Sequence, residues 1–117
     1  MIVAGGMTKA YLSVGPTDMR NSFQGLAAAV RTHMQRDPLS GEAYAFCNRR
    51  RTLVKILVWD GTGLWVHAKR LAQGTFSWPT DGDHTRSMTR EELALILGGI
   101  DAMHTTQRRW YRREVAG

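Results

Sequence analysis

The chain has 117 residues, enough for one domain with a single modest core, and 43% of them are hydrophobic, as in folded proteins. Sixteen Lys and Arg outnumber ten Asp and Glu, and the resulting net charge of +6 favours an anionic partner such as nucleic acid, an acidic protein or an acidic membrane surface. The single cysteine, Cys47, excludes an intrachain disulfide and fits a cytoplasmic location. No apolar run approaches the roughly 18 residues of a membrane span, so we expect no membrane partner.

The first elements in chain order are predicted to be a strand and an amphipathic helix. Lys9–Val14 alternates as a strand does, and Gly15–Pro16 ends it. Thr17 or Asp18 is expected to cap the following helix, which ends before Pro38. Its apolar face recurs at helical spacing and consists of Phe23, Leu26, Val30 and Met34.

Short strands joined by turns are predicted for the middle of the chain. Ala43–Cys47 is a short aromatic-containing strand, and Leu53–Trp59 and Leu64–Arg70 form a hairpin. Asp60–Gly63 supplies the flexible backbone of the hairpin turn. Thr75–Trp78 is expected to be a short edge strand.

The hairpin is predicted to have two largely apolar faces if Trp59 pairs with Leu64. One face then carries Lys55, Leu57, Trp59, Leu64, Val66 and Ala68. The opposite face carries Val54, Ile56, Val58, Trp65, His67 and Lys69. A turn longer or shorter by one residue would exchange these partners. Two apolar faces predict a central strand that is covered on both sides, or covered on one side and bound on the other, and they are also compatible with a homodimer.

The second helix is predicted to follow a polar loop at Thr80–Ser87. Thr89 and Glu92 have the spacing of a capping box, in which each side chain satisfies a free backbone N–H group. The apolar stripe of this helix consists of Leu93, Ile96, Leu97 and Ile100.

The order of these elements predicts an α+β fold. We expect an antiparallel sheet of three to five strands around a central hairpin, with two helices packed on one of its faces. Residues 1–104 are predicted to form a single domain whose first residues, 1–8, are loose. Residues 105–117 form a basic C-terminal tail.

Two basic clusters are candidate DNA-binding sites. Six cations are predicted to gather at the end of the hairpin away from its turn: Arg49, Arg50, Arg51, Lys55, Lys69 and Arg70. The tail carries a second cluster of Arg108, Arg109, Arg112 and Arg113. The alternative interpretation is a solvated turn with charged edge residues, and a solvated or unstructured tail.

Three tryptophans, Trp59, Trp65 and Trp78, are candidate anchors for a protein partner, because aromatic residues are favoured at the centres of interfaces. This is the basis of an alternative function, a protein-interaction adaptor.

Enzymatic activity has little support in the sequence. Asp81, Asp83 and His84 lie in a polar loop and are interpreted as a turn, so we predict no metal site. Nucleotide-binding glycine motifs and the GxSxG motif are absent, and we predict no cofactor and no catalytic residue. Cys47 is expected to be buried and inert.

Several short segments, in this order and spacing, match one family. They include Thr17-Asp18-Met19-Arg20, Asp37-Pro38, Asn48-Arg49-Arg50, Trp59-Asp60-Gly61, Lys69-Arg70-Leu71, Trp78-Pro79 and Gly99-Ile100-Asp101. Over about residues 9–101 the chain resembles the TnpB or Orf2-like accessory protein of the bacterial insertion sequence family numbered sixty-six.

The resemblance implies a protein needed for transposition and encoded beside a separate DDE transposase, which carries the strand-transfer chemistry. It implies no catalytic residues. We therefore expect an accessory protein that binds DNA at the element ends, or alternatively an adaptor that docks on the transposase.

Overall fold

The structure, a computed structural model, describes residues 9–98 and the backbone of 100–101 and 106–107. The elements are β1 (Lys9–Pro16), α1 (Phe23–Thr32), β2 (Ala43–Cys47), β3 (Leu53–Trp59), β4 (Leu64–Arg70), β5 (Thr85–Thr89), α2 (Arg90–Leu97), β6 (Ile100–Asp101) and β7 (Thr106–Gln107). The predicted loose start and the four tail arginines lie outside the described residues. No helix in the described part of the chain is long and apolar enough to cross a membrane.

Five strands form one sheet in the order β4-β3-β2-β1-β5, which confirms the predicted α+β class. The polarity is mixed, however, because β1 and β2 pair in parallel while the other neighbours are antiparallel. The prediction of a purely antiparallel sheet was wrong at this pair. Parallel strands need a crossover connection, and residues 17–42 with α1 provide it.

The predicted hairpin is confirmed, but it lies at one edge of the sheet and not at its centre. Trp59 pairs with Leu64, so the predicted face assignment holds. The central strand is β2, in which all five residues are buried. A strand that is apolar throughout is typical of a position covered on both faces.

The two helices pack on opposite faces of the sheet, which corrects the prediction that they share one. On one face, α1 residues pack on β2 and β3 in a cluster that contains Leu26, Val30, Met34, Tyr44, Phe46 and Leu57. On the other face, α2 residues pack in a cluster that contains Leu93, Ile96, Phe76, Trp78, Ala45, Val54 and Ile56. Successive residues of β2 point to opposite faces, so both faces of this strand need a cover.

The edge strand beyond β1 is not the predicted one. Thr75–Trp78 is irregular, and its aromatic side chains are buried in the core while β5 pairs antiparallel with β1. The predicted polar loop Thr80–Ser87 therefore contains the start of a strand. An edge strand needs few apolar residues, and in β5 only Met88 is buried.

The start of α1 also differs from the prediction. Its N-cap is Ser22, whose side chain makes no capping hydrogen bond. Asp18 instead accepts hydrogen bonds from the backbone N–H of Arg20 at 2.9 Å and from its guanidinium at 2.7 Å. The side-chain hydrogen bond from Arg20 lowers the pKa of Asp18 to about 2. Phe23 opens the helix and is 47% exposed, unlike the other predicted apolar residues of α1.

The capping box at the start of α2 is confirmed. The Thr89 hydroxyl accepts from the backbone N–H of Glu92 at 3.0 Å, and the Glu92 carboxylate accepts from the backbone N–H of Thr89 at 2.9 Å. The helix ends at Leu97, so Ile100 lies in β6 and does not continue the predicted stripe.

We expect Thr89→Ala to lower the free energy of unfolding by about 1 kcal/mol, because it removes the acceptor for a helix N–H group. Urea denaturation measures this loss. Thr32→Ala is the matched control, since the Thr32 hydroxyl only donates to the Ala28 carbonyl within α1. Equal losses in the two variants would contradict the capping role.

Candidate nucleic-acid interface

A turn at Asn48–Thr52, here called the arginine turn, joins β2 to β3 and carries three consecutive arginines. The Asn48 side chain organises it, because its Oδ1 accepts from the backbone N–H groups of Thr52 at 2.8 Å and Leu53 at 3.1 Å. The Asn48 Nδ2 also donates to the Thr52 hydroxyl at 3.1 Å. The Asn48 side chain therefore stabilises the turn through three hydrogen bonds to the residues at its end, Thr52 and Leu53.

The arginine turn is also fixed to the body of the protein. The Arg51 carbonyl accepts from the backbone N–H of Phe76 at 2.7 Å, and the Thr52 carbonyl accepts from Leu71 at 2.9 Å. Phe76 is completely buried. The three arginine side chains thus extend from a backbone that is positioned before any ligand arrives. Sequence reasoning identified these arginines but missed Asn48 and Phe76 as the residues that position them.

The turn arginines and Arg70 form the open cationic surface of the sheet end. Arg70 pairs with Leu53, which follows the turn, and all four arginines are exposed. Within residues 9–98, no carboxylate lies within 4.0 Å of any of these guanidinium groups. In the same range, the backbone N–H groups of Arg49 and Arg50 donate to no protein atom.

Arg51 adopts a left-handed backbone conformation with φ of +59°. This region costs an L-residue roughly 1–2 kcal/mol per residue, and glycine occupies it without that cost. Asn48 and Phe76 both hold the turn, and so they impose this conformation on Arg51.

Lys55 and Lys69 lie near this surface but bind backbone carbonyls on opposite faces of the sheet. The Lys55 Nζ donates to the carbonyls of Met19 at 2.7 Å and Asn21 at 3.1 Å. The Lys69 Nζ donates to the Leu97 carbonyl at 2.6 Å, where the C-terminus of α2 favours a cation. The six predicted cations therefore divide into four open arginines and two lysines with protein partners. The tail arginines Arg108, Arg109, Arg112 and Arg113 lie outside the described residues.

The three tryptophans have different surroundings. Trp78 is 3% exposed and donates its indole N–H to the Ser13 carbonyl, so its side chain belongs to the core. Trp59 is half-buried, whereas Trp65 on the edge strand β4 is 54% exposed. Among these three, Trp65 is the one that offers a large surface to a partner.

The Trp65 ring is held in place by neighbours at the hairpin turn. Its indole N–H donates to Asp60 Oδ2 at 2.8 Å, and the ring stacks on His67 with a centroid distance of 5.7 Å. The Thr62 backbone N–H, the Trp65 indole and other donors hold the pKa of Asp60 well below its usual range. Because the indole N–H is already bonded, Trp65 offers a partner its ring surface and not a hydrogen bond.

The remaining candidates do not form a site. Cys47 is buried, and burial raises the pKa of its thiol to about 12, which leaves it protonated at neutral pH. Asp81, Asp83 and His84 are exposed, and the described residues contain no group of three or more potential metal ligands.

Comparison with known proteins gives the family. A family model described as "IS66 Orf2 like protein" matches residues 8–107. The chain belongs to this family. The resemblance seen in the sequence is thereby confirmed, and the coarse assignment is an accessory protein of an insertion sequence.

Relatives of the chain occur in Sinorhizobium fredii (strain NBRC 101917 / NGR234). The chain is 33% identical to the uncharacterized protein y4hO over 104 residues, which cover 89% of this chain and 90% of that protein. It is also 33% identical to the uncharacterized protein y4jC over 86 residues, which cover 74% of each. No solved structure matches.

We expect Arg51→Gly to leave the free energy of unfolding unchanged or to raise it by up to about 1 kcal/mol, because glycine relieves the left-handed backbone. The matched control is Arg50→Gly, which removes the same charge where φ is not left-handed. Arg50→Gly should lower the free energy of unfolding by about 0.5–1 kcal/mol, because glycine gives the unfolded chain more conformational freedom. Equal destabilisation in urea unfolding would contradict a strained Arg51.

Proposed function

We propose that this insertion-sequence accessory protein binds DNA, with Arg49, Arg50, Arg51 and Arg70 on the phosphates. In this proposal it binds at the element ends, is needed for transposition and leaves strand transfer to the separate DDE transposase. The supporting observation is the group of four exposed arginines without a carboxylate partner among residues 9–98, three of them on a turn that is fixed to the core.

The chemistry of the arginine turn suits phosphate better than a generic basic surface would. A guanidinium group donates two parallel hydrogen bonds to phosphate oxygens, and the free backbone N–H groups of Arg49 and Arg50 add donors with a fixed direction. A turn that is ordered before binding loses less conformational entropy when it binds. Four phosphate contacts would give a slope of log affinity against log salt of about −3.6 for duplex DNA.

The proposal predicts that Arg49→Glu/Arg50→Glu weakens binding to duplex DNA by roughly 100- to 10,000-fold, since hydrogen bonds to charged groups are worth about 1.5–3 kcal/mol each and two arginines are lost. Gel shifts at several salt concentrations measure this loss, on duplexes from the element ends and on scrambled duplexes. The slope of log affinity against log salt should also become shallower, because fewer phosphates are contacted.

Lys9→Glu/Arg90→Glu is the matched control, because it makes the same change of −4 in net charge. Lys9 pairs with Thr89, next to Arg90, so both residues lie at the opposite end of β1. That end is about 23 Å from Pro16, at about 3.3 Å per strand residue. Equal loss of binding in both double variants would contradict a role for the arginine turn and indicate a response to net charge alone.

A second candidate function is an adaptor that docks on the DDE transposase. The supporting observation is Trp65, whose exposed ring is oriented by Asp60 and His67 on an edge strand. Large aromatic rings of this kind are favoured as interface anchors.

For the adaptor, Trp65→Ala should abolish co-purification with the transposase in the presence of nuclease. Phe23→Ala is the control, because Phe23 is similarly exposed, at 47% against 54%, but lies on α1. A complex that nuclease dissolves, or that Trp65→Ala leaves intact, would contradict a direct contact through Trp65. Sedimentation of the chain alone shows whether a second copy occupies this surface and forms a homodimer.

A further inference from the structure

A groove of about 330 Å³ lies beside the arginine turn, where the parallel strands β1 and β2 both end. It is lined by Gly15, Pro16, Asn48, Arg49, Arg51, Trp78 and Thr80. Ligands of open sheets with parallel strands commonly bind outside the carboxyl ends of those strands. Its volume is at the low end of the range for small-ligand pockets.

The walls of the groove are joined by backbone hydrogen bonds. The Gly15 N–H donates to the Pro79 carbonyl at 3.0 Å, and the Thr17 N–H donates to the Cys47 carbonyl at 2.8 Å. The pairing of β1 with β2 is irregular here, since three residues of β1 lie between the pairs Leu12–Ala45 and Pro16–Cys47 and only one of β2 does. The extra residues of β1 interrupt the regular pairing at the edge of the groove, where Gly15 and Pro16 line it.

The lining combines positive charge with apolar surface. Arg49 and Arg51 are exposed and have no carboxylate partner among residues 9–98. Pro16 contributes an apolar ring, and Thr80 is an exposed residue whose hydroxyl can donate or accept. A fitting ligand therefore carries a phosphate together with a less polar part, and a nucleotide has both.

We propose that this groove receives a single unpaired nucleotide of a DNA strand, with its phosphate on Arg49 and Arg51 and its sugar or base towards Pro16. A volume of about 330 Å³ is on the scale of one small ligand, and a base that is paired and stacked within a duplex cannot enter such a groove. The inference rests on the proposed DNA binding and adds a preference for strand ends or unpaired positions over intact duplex.

The test fills the groove without changing its charge. Thr80→Trp adds an indole at the groove wall, and Gln24→Trp adds the same group on the exposed surface of α1. Thr80→Phe is a second blocking variant, and urea unfolding establishes that all three remain folded. The probes are a 5′-phosphorylated single-stranded oligonucleotide, a blunt duplex of equal length and thymidine monophosphate, with binding measured by fluorescence anisotropy and competition.

We expect both Thr80 variants to weaken single-strand binding about 10-fold or more, because the blocked groove loses a charge-assisted phosphate contact. Duplex binding should stay within about 2-fold of the unmodified protein. Gln24→Trp should change neither. Unchanged single-strand binding, or equal weakening on both DNAs, would contradict the assignment of the groove to an unpaired nucleotide while leaving the proposed DNA binding intact. Absence of any DNA binding would overturn both. Thymidine monophosphate that binds as tightly as the oligonucleotide would identify a free nucleotide as the occupant and overturn the assignment to DNA.

Discussion

Burial of both faces of β2 is the constraint on which the rest of the structure depends. All five of its residues are buried, and its aromatic residues Tyr44 and Phe46 face α1 while Ala45 packs on the α2 side. A strand of this kind needs a helix on each face, and the crossover through α1 makes β1 its parallel neighbour. The two strands therefore end side by side, which places the arginine turn and the groove together.

The positive charge of the chain is used in two ways at this end. Lys55 and Lys69 bind backbone carbonyls near the start of α1 and at the end of α2, so they hold the helices to the hairpin. Arg49, Arg50 and Arg51 instead extend from a turn that Asn48 closes. Arg51 keeps a bulky side chain where glycine would relieve the backbone, and strained residues of this kind cluster at functional sites.

Local patterns predicted much of the fold, because the features they report are local. Period-2 alternation and the Asp60–Gly63 turn gave the hairpin and its register, and the Thr89–Glu92 spacing gave the start of α2. Strand polarity and the helix faces depend on tertiary packing, which has no local signal. The polar sequence of β5 lacks apolar alternation, and the aromatic residues of Thr75–Trp78 reflect burial and not strand pairing. The carbonyl partners of the two lysines are also distant in sequence, so charge patterning alone grouped those lysines with the arginines.

The central claim is that the sheet end built around the arginine turn is the surface that meets DNA. Chemical-shift mapping by NMR, with DNA titrated into ¹⁵N-labelled protein, tests it most directly because it reports every backbone amide at once. The account predicts the largest changes at the amides of Arg49, Arg50 and Thr80, with little change at the opposite end of β1. Changes centred on that opposite end, or on Trp65 and its hairpin turn, would contradict it.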